Sequence, residues 1–229
     1  MIKVFTFCFN NAEFLWRQQE CFKKHLKEEH ELICINNASN MDNGLHIEIV
    51  ANNIGVECII PQNIDHSEAG RSHQSALNWA WKELISKHDD TVIIVDHDMF
   101  CIKEFKLFKD YDVATVMQGR GEHIRYFHPG IMIIHPSLVD RETVDFTGDA
   151  IDGIRCDTGG NWHHYIQAHP NLKIKEMSMP DIQDDELGDD KLQLCDDFLL
   201  HYRNGSNWAH SPQRIIDLKL QKLDKMLGI

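Results

Sequence analysis

Two carboxylates one residue apart, Asp96 and Asp98, come directly after the apolar run Thr91-Val92-Ile93-Ile94-Val95. At the end of a buried strand such a pair is costly unless water, a partner or a metal ion compensates it. Hard divalent cations take oxygen ligands of this kind. The spacing alone carries little weight, since the chain holds 22 aspartates and a second pair, Asp110-Tyr111-Asp112, occurs. Position separates the two, because ligands of open α/β sheets bind beyond the carboxyl ends of the strands. An ordinary polar strand-to-loop turn stays open as the alternative for Asp96 and Asp98. Further along, Asp157-Thr158-Gly159-Gly160-Asn161-Trp162 opens a helical pattern, where aspartate is a favoured N-cap. His163 and His164 point about 100° apart on that helix, so they are not the chelating pair that an i, i+4 spacing would give.

The rest of the chain limits what these residues can do. The 229 residues carry 36 acidic and 23 basic side chains, a net charge of −13. That excludes a surface built to bind nucleic acid, which needs excess positive charge. Part of the acidity lies in one run, Asp181 to Asp190, expected to be a solvated loop. No apolar run approaches the roughly 20 residues of a membrane span. The start, Met1-Ile2-Lys3-Val4-Phe5, lacks the zones of a signal peptide. Seven cysteines, without a CxxC pair and several within apolar runs, are expected as reduced core residues, and the location as cytoplasmic.

The elements that must position the carboxylates alternate through the first hundred residues. Strands are expected at 2–8, 31–35, 56–60 and 91–95, and a helix at 12–27. A second helix is expected to begin near Asp65, with Glu68 completing a capping box. Its apolar positions Leu77, Ala80, Trp81, Leu84 and Ile85 fall on one face. Continuous apolar strands alternating with helices predict a mostly parallel sheet covered on both faces, an α/β fold. The second half reads differently. Strands at 112–117 and 130–135 have no helix signal between them. A helix at 158–168, a short strand at 172–177, a strand-like segment at 194–202 and a helix from Pro212 complete the chain. That last helix carries Ile216, Leu220, Leu223 and Leu227 on one face, to pack on the domain or, alternatively, in a homodimer.

An apolar strand leading into D-x-D resembles the signature of the GT-A glycosyltransferases, family 2 members in particular. The upstream order is also similar: the strand IKVFTFCFNN, a helix, the strand ELICINNAS, then a helix with Gly70 and Ala76-Leu77-Asn78. The resemblance covers roughly residues 2–210. It implies a Rossmann-like GT-A sheet and a single catalytic domain over 1–229. Residues 1–100 would bind the nucleotide-sugar, 101–211 the acceptor, and 212–229 would form a C-terminal helix.

The resemblance also assigns residues. Asp98 would hold a divalent metal directly, and Asp96 would contact ribose or metal-bound water. Family members often place an acidic residue at the turn after the second strand, to hold the base. Asn36 and Asn37 stand there instead, and Asn37 is the candidate contact. Leu77 replaces an arginine of the family pattern, and Arg71 is the candidate phosphate contact. The segment His128-Pro129-Gly130 corresponds to a stretch beneath the acceptor pocket, and also fits a plain X-Pro-Gly turn. Asp157 falls where inverting members carry their catalytic carboxylate, with Asp149 and Asp152 in reserve. His201-Tyr202-Arg203-Asn204-Gly205-Ser206-Asn207-Trp208 resembles a C-terminal motif whose histidine is a further metal ligand, which makes His201 the candidate. An imidazole ligand favours Mn2+ over Mg2+.

The implied activity is metal-dependent transfer of a sugar, with inversion, from a nucleotide-sugar, expected to be a UDP-sugar, to a hydroxyl of a carbohydrate acceptor. Asp157 would take the acceptor proton. Trp162 and Trp208 fit either sugar stacking or core packing. A nucleotidyltransferase is the nearest rival, but Phe7-Cys8-Phe9-Asn10-Asn11-Ala12 lacks the Gly-rich basic loop it would show. A non-catalytic carbohydrate-binding protein is the other.

Overall fold

The apolar runs become the middle of one sheet in a computed structural model of the chain, which describes residues 1–187, 192–203 and 212–228. The first half contributes β1 (Ile2–Cys8), α1 (Glu13–His25), β2 (His30–Asn36), α2 (Met41–Ile54), β3 (Glu57–Ile59), α3 (Ala69–Glu83) and β4 (Val92–Asp96). The second adds β5 (Met99–Cys101), β6 (Val113–Arg120), β7 (Ile124–Ile134), β8 (Ala150–Ile151), β9 (Ile154–Arg155), α4 (Trp162–Ala168) and β10 (Ile174–Met177). Then come β11 (Asp181–Ile182), β12 (Leu192–Cys195), β13 (Leu199–Tyr202) and α5 (Gln213–Leu227).

Seven strands form the central sheet in the order β10-β6-β7-β4-β1-β2-β3. All neighbours are parallel except β7, which runs antiparallel to both β4 and β6. The mostly parallel α/β sheet expected from the sequence is therefore present. Alternate residues of its strands feed two cores. Val4, Cys8 and Val95 pack towards α1, α2 and α5. Phe5, Phe7 and Ile94 pack towards α3 and α4. A smaller sheet, β11-β12-β13-β5, stands beside the exit of β4. All seven thiols are free. Among the described residues no helix is long and apolar enough to cross a membrane.

Several expectations need correction. Helix α3 starts at Ala69, not near Asp65, and no capping box forms. Asp65 instead accepts the Ser67 amide at 3.0 Å, a local Asx turn that competes with helix. Helix α2 is absent from the sequence-based expectation. Its apolar residues lie all round the helix, Ile47 and Ala51 inward and Met41, Leu45 and Ile49 outward, so no single stripe marks it. Asn40, accepting the Asn43 amide at 2.9 Å, and Gly55 at φ 72° cap its ends. The segment at 194–202 is a hairpin rather than one strand, turned by Asp196 and Asp197 at φ 42° and 63°. The acidic run is not wholly loop. Asp181 and Ile182 form β11, Asp184 accepts the Lys222 ammonium at 2.8 Å, and 188–190 lie outside the described residues.

Helix α5 packs on its own chain. Arg17 of α1 grips Asp224 with two bonds, at 2.6 and 2.8 Å. The buried row is Ile215, Lys219 and Leu223, one step round from the face the leucines suggest. A lysine lies at its centre, 1% exposed, with Nζ donating to the Arg203 carbonyl at 3.0 Å. The aliphatic stem fills the interface, and the ammonium has an acceptor.

Candidate functional site

The turn after β4 is fixed from three sides. The Gln18 amide donates to the Asp96 and Met99 carbonyls, both at 2.8 Å. His97 turns away from its neighbours, with Nδ1 3.0 Å from the Phe7 carbonyl. The Asp98 carbonyl accepts the Tyr202 amide at 2.9 Å, which docks β13 against the turn. The backbone groups freed where the strand ends are thus satisfied, and the two carboxylates are left to face inward.

Docking β13 brings His201 to Asp98. Nε2 lies 3.7 Å from Asp98 Oδ1, with the two side chains only 10% and 8% exposed. Nδ1 lies 2.8 Å from Gln193 Oε1 on the neighbouring strand β12, whose register pairs Gln193 with His201. An amide oxygen only accepts, so Nδ1 carries the proton and Nε2 presents a lone pair to the carboxylate. Burial holds His201 down to about 4, so the ring is neutral at pH 7. Burial pushes the Asp98 carboxyl up to about 6, with His97 opposing and Asp96 adding to the rise. A neutral imidazole lone pair and a desolvated carboxylate oxygen that face each other, too far apart for a hydrogen bond, suit a cation. The outer nitrogen of His201 is tied back as metal-bound histidines commonly are.

Asp96 is handled differently. His73, from α3, puts Nε2 2.9 Å from Asp96 Oδ1, an ion pair rather than an aligned hydrogen bond. Burial alone would raise the Asp96 carboxyl. His73, with His128 and His201 adding, outweighs it and holds the carboxyl well below the usual range. Burial alone would lower His73, and Asp96 raises it instead. His128 lies on the far side. Burial, with His201 adding, takes it down to about 4.

The strand that carries His128 is longer than expected. His128-Pro129-Gly130 is neither a turn nor the lead-in to a strand; it lies inside β7, at a bulge opposite Thr115–Met117. The bulge admits a proline, which has no amide to give the ladder. The Thr115 hydroxyl lies 3.1 Å from the His128 carbonyl and 2.6 Å from that of Ile131. A Cβ at Gly130 would stand 2.5 Å from His128 Cε1 and 2.8 Å from Asp96 Oδ2. Only glycine lets both side chains occupy that space.

Two adjoining cavities open on these residues. The first, about 200 Å³, is lined by Asp96, Asp98, His73 and Asn37. The second, about 700 Å³, is lined by Arg71, Arg120, Arg155, Glu68 and Asp149. Gly70, Asp157 and Thr158 belong to both. Asp157 does not cap α4, which starts at Trp162 behind an Asn161 that makes no side-chain cap bond. Its Oδ1 accepts the Thr158 amide at 2.8 Å, and its own amide donates to the Tyr126 hydroxyl at 3.2 Å. Gly159, at φ 89°, lets this loop pass the Phe127 carbonyl, which a Cβ would meet at 2.6 Å.

Of the residues singled out in the sequence, Asp96, Asp98, Asn37 and Asp157 meet at the first cavity, and His201 stands behind Asp98. Arg71 is brought to the second cavity only, 58% exposed and paired with Asp65 and Glu68 at 3.7 and 3.8 Å. Asp149 lines that cavity too, whereas Asp152 pairs with His123 at 3.1 Å in an exposed turn. Asp112 accepts the Lys173 amide at 2.9 Å, a structural role for the second D-x-D. Trp162 is wholly buried against Phe127 and Phe146, so it is core. His163 is bound to the Arg125 backbone. Asn204 to Trp208 lie outside the described residues. The sequence-based expectation did not include His73, Gln193, Arg120 or Arg155. His73 had a usable signal, since it lies on the apolar stripe of α3 with Leu77 and Ala80.

Among the described residues no three His, Cys, Asp or Glu side chains close round one point as a metal cage. Asp98 and His201 supply two donors. Ions that serve phosphate chemistry are commonly held by one or two carboxylates and completed by the substrate's own oxygens. The donor set present fits such an ion.

No known protein family matches the chain, and no curated protein matches it in sequence. Among solved structures it is similar to the galactosyltransferase LgtC in complex with donor and acceptor sugar analogues: 16% identity, over 77% of this chain and 73% of that one, with a TM-score of 0.48. It is also similar to a mannosyltransferase from Pyrobaculum calidifontis in complex with GDP-Man and Mn2+, at 13% identity over 76% of this chain and 54% of that one, TM-score 0.49. S. aureus TarS is similar at 14% identity, 77% and 35% coverage, TM-score 0.46. The chain thus spans about half the length of the mannosyltransferase and a third of TarS.

Proposed function

We propose that this protein is a metal-dependent glycosyltransferase of the GT-A type, which moves a sugar from a nucleoside diphosphate sugar, a UDP-sugar first among them, to a hydroxyl acceptor. The observation that carries the reading is the opposition of His201 Nε2 and Asp98 Oδ1 at 3.7 Å, at the tip of a central strand and beside a cavity shared with Asp157. Asp98 and His201 would hold Mn2+, or Mg2+, with Asp96 alongside. When bound, the ion supplies positive charge to the diphosphate and to the oxygen that leaves.

The chain's own residues do the rest. Asn37, 3% exposed beneath Ser72, lines the end of the first cavity nearest β2 and would meet the nucleoside. His73, paired with Asp96 at 2.9 Å, offsets the charge of that carboxylate beside the diphosphate. Asp157, exposed at the junction of the cavities, takes the proton of the acceptor hydroxyl. The hydroxyl oxygen bonds to the sugar's C1 as the bond from C1 to the diphosphate oxygen breaks, and that electron pair leaves with the diphosphate. Attack from the Asp157 side, opposite the leaving group, inverts the centre. Seven free thiols, six of them buried, support a reducing compartment such as the cytoplasm. A thermal-shift screen of nucleoside diphosphates and sugar nucleotides, with Mn2+ and then with chelator, tests the reading, because a ligand of the native state raises its stability. A shift that needs both nucleotide and metal is expected. No shift with any nucleotide in the presence of metal would remove the proposal.

A further inference from the structure

The second cavity differs in character from its surroundings. A chain with 13 more acidic than basic groups here gathers three arginines, Arg71 on α3, Arg120 at the end of β6 and Arg155 on β9, around a space of about 700 Å³. That is ample for a small sugar. Two of the three share one partner. Arg155 Nη2 lies 3.4 Å and Arg71 Nε 3.8 Å from the same Glu68 oxygen. These contacts are long and solvent-exposed, and exposed pairs of this sort are easily exchanged. Arg120 donates to its neighbour's carbonyl, Gly119 O, at 3.0 Å and lies 5.9 Å from the ring of Tyr126; among the described residues no carboxylate pairs with it. Tyr126 in turn accepts the Asp157 amide at 3.2 Å. The Arg120 guanidinium near its ring and the backbone of the proposed base at its hydroxyl thus both meet one buried side chain.

We propose that the acceptor carries an anionic group, phosphate or carboxylate, which Arg120 holds with Arg155 and Arg71 while the hydroxyl to be glycosylated lies against Asp157. This rests on the transferase reading for the word acceptor; the anion site itself rests on the arginines. The planar fork of a guanidinium can donate two parallel hydrogen bonds to a pair of oxygens on either anion. Glu68 holds Arg71 and Arg155 in place until the ligand arrives, and the ligand's oxygens then replace its own. Arg71, which the sequence suggested for the donor's phosphates, serves the other substrate.

The test titrates the full chain with glucose 6-phosphate, glucuronate and glucose, by calorimetry or saturation-transfer NMR, with Mn2+ and UDP present so that the first cavity is filled. At least one charged sugar is expected to bind about tenfold or more tighter than glucose, a margin typical of a charged hydrogen bond. The stronger of the two identifies the anion. Arg120→Gln should abolish that difference, and Glu68→Gln, which releases Arg155 and leaves Arg71 with Asp65 alone, should widen it. Both side chains are at the surface of the cavity, and unchanged melting curves confirm that each variant is folded. Equal binding of all three sugars, or a preference that survives both Arg120→Gln and Arg155→Gln, would overturn the proposal. Charged-sugar binding that UDP and Mn2+ displace would also overturn it, by placing the anion in the first cavity. Failure of UDP to bind while the charged sugar still does would keep the anion site and remove the transferase reading. The reverse result would do the opposite.

Discussion

Replacing Asp98 by asparagine should make the metal-free protein more stable while it destroys the site. The Asp98 carboxyl, ordinarily at 3.8, is pushed up to about 6, chiefly by burial. The folded state therefore holds this proton more tightly than the unfolded chain does. Below about pH 3 both forms are protonated and the group contributes nothing. As pH rises from about 3 to 6 the unfolded chain ionises first, and the folded state loses stability relative to it. Above 6 the loss is complete, and at about 1.4 kcal/mol per pH unit it is on the order of 3 kcal/mol. An asparagine in its place never ionises, and its amide can donate to the His201 Nε2 lone pair. For a chain of this size 1 kcal/mol moves Tm by roughly 2–4 °C, so with EDTA at pH 8 the variant should melt several degrees higher, with about 10 °C as the ceiling. At pH 4.5 the two proteins should differ by far less. Mn2+ and nucleotide at about a thousand times Kd should reverse the order, because only the wild type then gains roughly 4.1 kcal/mol, more than the loss at Asp98. Melting curves by circular dichroism at pH 4.5, 6 and 8 are sufficient. A variant no more stable than wild type at pH 8, or one equally stabilised at pH 4.5, would show that the buried Asp98 charge does not cost the metal-free fold stability.

The same geometry carries three other expectations. Asp157→Asn should leave nucleotide affinity within about twofold and lower kcat at least about 100-fold, the usual loss for a general base; steady-state transfer assays at wild-type rate would end its role. Gln193→Ala frees His201 Nδ1 and should weaken Mn2+ binding about 10–100-fold with an unaltered circular dichroism spectrum; unchanged Mn2+ affinity in a calorimetric titration would contradict the assigned tautomer. Gly130→Ala places a methyl 2.8 Å from Asp96 Oδ2, which should lower stability by about 1–3 kcal/mol and abolish metal-dependent nucleotide binding; denaturant melts and affinities like those of wild type would refute the close packing.

The parts of the site read from sequence are those that local pattern dictates. A continuous apolar strand must end, and the residues just past its end project beyond the sheet, so the place of Asp96 and Asp98 at the tip of β4 was legible, with an ordinary polar turn left open as their role. The helix α2 was not, because apolar residues on every side leave no period to find. The bulge in β7 was not, because a proline and a glycine in sequence argue for a turn, and only pairing with β6 keeps them in a strand. His73 and Gln193 act through contacts with Asp96 and His201 that only the tertiary fold creates. Lys219 hid for the opposite reason. Its type predicts exposure, yet a backbone carbonyl from another element satisfies it within the core.

Asp96 and Asp98 share one turn and are driven in opposite directions, and this division bears most directly on mechanism. Asp96 is given a built-in counter-charge, His73, and stays ionised with no help from outside. Asp98 faces a neutral imidazole and little water, and burial there outweighs the groups that favour its charge. Two carboxylates alike in type and one residue apart are separated in role by their surroundings. If both were meant to bind one ion in a closed cage, pairing one with a histidine would weaken the cage. Under the proposed reading, an ion held by Asp98 and His201 would be completed by the diphosphate, and His73 would offset the charge that Asp96 otherwise adds beside a dianion.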